Sequence, residues 1–157
     1  MWEDMFDDPR LTAMGLLIEV YEGLTAQTNP VLAEHGLSGK EFDTLIRLAR
    51  SPGRRLRMTD LAAQTSLTTS GVTRVVDRLE HDGLVYRQAC PEDRRSLLAV
   101  LTDTGGQRLS ALLPAHLANI ERWFTGQLTP QQLDALLTGL HIVRAAIRPG
   151  AAAGAHG

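Results

Sequence analysis

One cysteine, Cys90, stands in a chain of 157 residues. No internal disulfide can form, so a reducing setting is the expectation. Long apolar runs are missing too. The stretch around Leu16 is broken by Glu19 and Glu22, far short of the roughly 20 residues that span a bilayer. The first residues are acidic (Glu3, Asp4, Asp7, Asp8), where a secretory leader would be basic and then apolar. A cytoplasmic protein with no membrane partner is therefore expected. Positive charge is scarce in sum, with 16 basic residues against 18 acidic ones, a net charge of −2 and a pI near 6.2. That balance excludes a wholly polybasic, histone-like binder. Lysine is nearly absent: Lys40 is the only one, and every other basic residue is arginine. A GC-rich genome accounts for such a bias. So does a need for planar guanidinium forks that recognise phosphates and guanine edges.

Catalytic signatures are lacking as well. The chain has no Gly-rich phosphate loop, no nucleophile elbow and no paired acid/base motif, so neither an enzyme nor a cofactor is expected. His35, His81, His116 and His141 never stand three or four residues from another histidine or from Cys90. Local metal-ligand spacing is thus missing, and no metal is expected.

What the chain does have is helical periodicity. Leu11, Met14, Leu17, Ile18, Tyr21 and Leu24 form one stripe, after which Pro30 should interrupt or kink the helix. Ser38-Gly-Lys-Glu41 reads as a capping box opening a helix with Phe42, Leu45, Ile46 and Ala49 inward. A basic loop, Arg54 to Arg57, precedes a short helix capped by Thr59 and carrying Leu61 and Ala62. After Thr65-Ser66-Leu67, Thr68 caps a helix burying Val72, Val75, Val76 and Leu79, and Gly83 stops it. Two strand-like runs, Leu84 to Gln88 and Leu97 to Leu101, flank a charged loop. Thr104 to Gln107 and Thr129 to Gln132 open two more helices. The first carries Leu109, Leu112, Leu117 and Ile120, the second Leu133, Leu136, Leu140, Val143 and Ile147. The outer helices keep an apolar stripe that a lone helix cannot hide, and a second subunit is the expected partner.

The central segment carries the chemistry. The helix begun by Thr68 turns Thr69, Ser70, Thr73 and Arg74 outward, with Arg78 at its flank. Small hydroxyl residues allow close approach to DNA, and Arg74 is long enough to read a guanine. Arg87, Arg94 and Arg95 flank or occupy the tip of the hairpin, with Asp93 beside them, and arginines at a protruding tip suit a narrow minor groove. Asp93 is expected to hold a neighbouring guanidinium in one rotamer. Charge is uneven to match. From Arg54 to Arg95, eight arginines face six acids, whereas the rest of the chain has eight basic residues against twelve acids.

These residues resemble the MarR family of winged helix-turn-helix transcriptional regulators. The match runs through Asp60-Leu-Ala62, Val72 to Glu80, Gly83-Leu-Val and Pro91-Glu-Asp-Arg-Arg95 to Val100-Leu-Thr, with Gly105 close behind. The wing signature Asp93-Arg-Arg followed by Val-x-Leu-Thr is its most specific part. The resemblance implies a mainly α fold of about six helices plus a two-stranded β wing. Residues 37–103 would form the DNA-binding lobe, residues 1–36 and 104–148 a composite dimerisation lobe, and 149–157 a flexible tail. It further implies a homodimeric regulator, a repressor, on double-stranded pseudopalindromic DNA. Thr68, Thr69, Ser70, Thr73, Arg74 and Arg78 would serve the major groove, Arg94 or Arg95 the minor groove, and Asp93 would brace the wing arginine. A small-molecule effector would lodge between the lobes, with Tyr21, Phe42, His116 and Ile120 as candidate lining. Three departures stand out: Ser66 where the turn usually has Gly, Pro30 near the end of the first helix, and Cys90 where the wing usually has Asp. Cys90 in an Arg-rich wing leaves a redox-responsive regulator as an alternative, although a surface cysteine is the simpler expectation. A winged-helix protein-interaction module is another alternative, but it would call for an apolar or acidic face where Thr, Ser and Arg stand.

Overall fold

The computed structural model describes residues 1–154. Its elements run α1 (Pro9–Glu34), α2 (Gly39–Ala49), β1 (Arg55–Arg57), α3 (Met58–Thr65), α4 (Thr69–His81), β2 (Val85–Ala89), β3 (Leu97–Leu101), α5 (Asp103–Trp123) and α6 (Pro130–Ile147). The fold is mainly helical, with one antiparallel sheet in the order β1-β3-β2.

Capping explains most helix starts. The Ser38 hydroxyl accepts from the Glu41 N–H at 3.2 Å. The Glu41 carboxylate does not return the bond; it pairs with Arg78 on α4 at 3.2 Å. At α6 the box closes both ways, with Gln132 N–H donating to the Thr129 hydroxyl (3.2 Å) and Thr129 N–H to the Gln132 side chain (2.9 Å). The core lies where α2, α3, α4 and α5 meet the sheet. Leu45, Leu48, Leu61, Val76, Leu79, Leu84 and Leu112 are wholly enclosed there, each worth about 1.5–3 kcal/mol on burial.

Several sequence expectations need correction. Helix α1 is not broken by Pro30; it continues to Glu34. Pro30 offers no N–H to the preceding turn, but Leu32 beyond it is buried in the core and anchors the last turn. The basic loop is a strand. Arg55, Leu56 and Arg57 pair with Val100, Ala99 and Leu98, and the single inward Leu56 is the strand's alternation in its shortest form. The wing sheet is accordingly three-stranded. The residue before α3 is Arg57, not Thr59, and it gives no side-chain cap. Helix α5 is capped by Thr102, not Thr104. The Thr102 hydroxyl accepts from Gly105 N–H at 3.0 Å and donates to the Gly83 carbonyl at 2.7 Å. Gly105 is required by this close approach, since a Cβ there would stand 2.3 Å from the Leu84 carbonyl oxygen. Within the expected tail, Pro149–Ala152 form a 3-10 turn packed on α3. Residues 155–157 of that tail lie outside the described residues.

Outside the core the helices are less covered. Helix α1 packs on α5, yet Leu17 and Tyr21 remain 52% and 67% exposed. Helix α6 has no buried residue. Among the described residues no helix is long and apolar enough to cross a membrane.

Candidate nucleic-acid interface

Helix α4 is oriented by its buried side, where Val72, Val75, Val76 and Leu79 enter the core. Thr68 caps it by accepting from Gly71 N–H at 3.0 Å, and the Thr68 and Ser70 hydroxyls lie 3.2 Å apart. Thr69, Ser70, Thr73 and Arg74 are exposed, as expected. The Thr73 hydroxyl donates to the Thr69 carbonyl at 2.9 Å, which leaves its oxygen free to accept. Arg78 differs from the others, because its pair with Glu41 ties α4 to α2. The turn before α4 passes through Ser66 at φ 57°, a left-handed conformation that favours glycine.

The wing tip is held by Asp93, though not as expected. Its carboxylate accepts from the Arg95 backbone N–H at 3.0 Å and from the Ser96 hydroxyl at 3.1 Å. The expected guanidinium pair is replaced by a turn that an aspartate makes with backbone two residues on. Arg94 and Arg95 are exposed and form no ion pair among the described residues, so their charges are available to a partner. Cys90 is buried beside Leu98 and Val100, correcting the expectation of a surface cysteine. Leu98 and Val100 alternate on one face of β3 and cover the thiol from within the wing.

Arg87, expected beside Arg94 and Arg95 at the wing tip, instead joins the wing to the helix. From β2 its guanidinium reaches Asp77 (2.6 Å), Glu80 (2.9 Å) and the Thr73 carbonyl (3.4 Å) on α4. Its backbone N–H donates to Glu80 at 2.9 Å. This fixes the wing against the helix and neutralises two carboxylates that would repel a phosphate backbone. The available signal was the strand period, which places Arg87 on the same face as buried Val85, opposite two acids spaced three apart. A depression of about 320 Å³ follows the seam, lined by Thr59, Thr73, Arg87, Arg95 and Ser96 among others.

The four candidate effector residues are not assembled into one cavity. Phe42 and His116 meet with ring centroids 4.6 Å apart. His116 is buried, its Nδ1 has no hydrogen-bond partner among the described residues, and burial pushes its imidazole below the ordinary value. Ile120 is partly covered, and Tyr21 stands in solvent. Among the described residues no three His, Cys, Asp or Glu side chains group as metal ligands do.

Comparison with known proteins adds three relatives. A family model described as MarR family matches residues 35–96. The uncharacterized HTH-type transcriptional regulator YkoM of Bacillus subtilis is 36% identical over 104 residues, covering 66% of each chain. The HTH-type transcriptional repressor YetL of the same organism is 36% identical over 88 residues, 56% of this chain and 53% of its own. The match thus spans about half to two thirds of these curated relatives. Among solved structures, Sco3205 of Streptomyces coelicolor, a MarR family transcriptional regulator crystallised in complex with DNA, is 34% identical. It covers 88% of both chains with a TM-score of 0.81.

Proposed function

This chain belongs to the MarR family of transcriptional regulators, and we propose that it is a sequence-specific, homodimeric DNA-binding repressor. One observation carries the reading. Thr73 of α4 and Arg95 of the wing line a single depression, with Asp77 and Glu80 beside it neutralised by Arg87. Helix and wing therefore offer one surface on which Arg74, Arg94 and Arg95 are exposed and paired with no acid among the described residues. In this reading Thr69, Ser70, Thr73 and Arg74 meet base edges in a major groove, and Thr68 approaches a phosphate. Arg94 and Arg95 enter the adjacent minor groove from a turn stiffened by Asp93. Arg78 acts by holding α4 on α2. Residues 37–103 serve as the reading lobe, while 1–36 and 104–148 form the dimerisation lobe through the apolar faces left open on α1 and α6. Two lobes one helical turn apart read a pseudopalindrome. The DNA complex of Sco3205 and the repressor YetL support this assignment.

An effector site is proposed at the Phe42–His116 contact between α2 and α5, where a ligand supplying a polar group would satisfy His116 Nδ1.

Selection of genomic fragments bound by the full chain tests the main reading; the expected result is enrichment of a pseudopalindrome. With that sequence, affinity should fall steeply with salt. Arg94→Ala/Arg95→Ala should weaken binding and lower the salt slope by about 2 per subunit. No enriched sequence would overturn the function, and full affinity in the double variant would overturn the wing contact.

A further inference from the structure

We propose that Arg148, with the turn behind it, is a positioning residue for DNA recognition: a strap from the end of α6 that sets the angle of the helix-turn-helix without touching DNA. The proposal rests on the reading of α4 as the DNA-reading helix.

The argument starts from the end of α3. A helix leaves its last four carbonyls without intrahelical partners, and α3 has only eight residues. Its chain then leaves through Ser66 in the left-handed region, which disfavours a residue with a Cβ. Something must hold this end. The Thr65 hydroxyl covers the earlier part, donating to Leu61 at 2.7 Å and lying 3.4 Å from the Ala62 carbonyl. The next two carbonyls are taken by a residue more than 80 positions away. The Arg148 guanidinium donates to Ala63 O at 3.1 Å and Gln64 O at 2.9 Å. A cation there also opposes the negative end of the helix dipole.

The turn that follows reinforces the contact at separate points. Gly150 lies so close to α3 that a Cβ on it would stand 3.2 Å from the Ala63 Cβ. The buried Gln64 amide donates to the Ala153 carbonyl. Arg47, on α2, reaches the Ala151 carbonyl at 3.4 Å. Helix α6 is thereby latched to both α2 and α3, immediately before the turn that launches α4. Because α6 belongs to the proposed dimerisation lobe, the strap fixes how each reading helix sits relative to the dimer. The distance between two reading helices is what selects half-site spacing.

The test uses full-length Arg148→Met and Gly150→Leu, which damage the strap at different contacts. Arg144→Met, one turn earlier on α6, is the control for charge loss. Binding is measured to the selected operator and to a copy lengthened by one base pair between half-sites, alongside hydrogen exchange of residues 64–67 and the oligomeric state. Both strap variants should stay dimeric and speed exchange at 64–67. They should bind the operator about 5- to 20-fold more weakly and lose part of the preference for native spacing; the control should do none of this. Exchange unchanged in both variants would overturn the strap. So would faster exchange with unaltered affinity and spacing preference, since the contacts would then be structural only. An unaltered chain that selects no DNA would sink the strap together with the DNA-binding reading. Variants that match an unaltered chain that does bind would sink the strap alone.

Discussion

Leu45 and Leu48 of α2, Leu61 of α3 and Leu79 of α4 have no exposed surface, while Leu137, Leu140, Val143 and Ile147 of α6 are 42%, 39%, 51% and 72% exposed. Both groups follow the same helical period. The winged unit closes on itself because its helices meet a sheet and each other from several directions. Helix α1 lies along α5, and α6 has no buried residue, so the outer helices leave long sides uncovered. Periodicity thus reports that a face needs cover, and the tertiary arrangement decides whether the chain supplies it. Here the self-sufficient part is the one proposed to read DNA, and the unsatisfied part is the one proposed to assemble. Stability and association should therefore respond to different substitutions.

The largest effect is expected inside the closed unit. Leu79→Ala should cost about 2–5 kcal/mol, read as a lower midpoint in chemical denaturation of dimers and monomers alike. Leu140→Asp attacks the other region. It should leave the winged unit folded by circular dichroism while weakening self-association by about 100-fold or more, because a carboxylate would replace apolar surface worth roughly 1.5–3 kcal/mol. Equal loss of fold and dimer in the two variants would erase the distinction between the regions. A smaller effect marks their boundary. His116 lies on α5 against Phe42, and burial holds its pKa below 6.5. The unfolded chain takes up the proton more readily, so this contribution is intact above pH 6.5 and declines as pH falls from there toward the lower folded value. The decline is at most about 1.4 kcal/mol per pH unit. Thermal denaturation of His116→Gln should show a shallower loss of stability on acidification than the unaltered protein.

Much of the winged unit was legible in the sequence because its signals are local. Thr68 caps α4, Val72 to Leu79 mark its buried side, Gly83 stops it at φ 72°, and the left-handed turn falls at Ser66. The site face of α4 followed from the same period, and the exposure of Arg94 and Arg95 from their place in a charged loop between two strand-like runs. Strand β1 was illegible because three residues with one inward leucine do not make a visible alternation. The strand period puts Arg87 on the face of buried Val85, but that β2 lies across α4, so that this face meets Asp77 and Glu80, is written in no local spacing. Asp93 had two chemically reasonable partners, and the tight turn favoured the backbone over a neighbouring guanidinium. The docking of residues 149–154 could not be foreseen from alanine and glycine. Their order comes from backbone carbonyls meeting Arg47 and Gln64, and carbonyls leave no mark in a sequence.

Gly105 gives α5 a mechanical role. With no side chain to hold it away, the start of this helix is pressed onto the backbone entering β2, and Thr102 adds bonds to Gly83 and Leu84. The rod and the wing therefore share a pivot. Over its 21 residues α5 extends about 30 Å, so a tilt of about 5° displaces one end relative to the other by about 3 Å. Leverage of that size, applied where the outer helices meet a partner, arrives at the wing as a displacement comparable to a hydrogen-bond length.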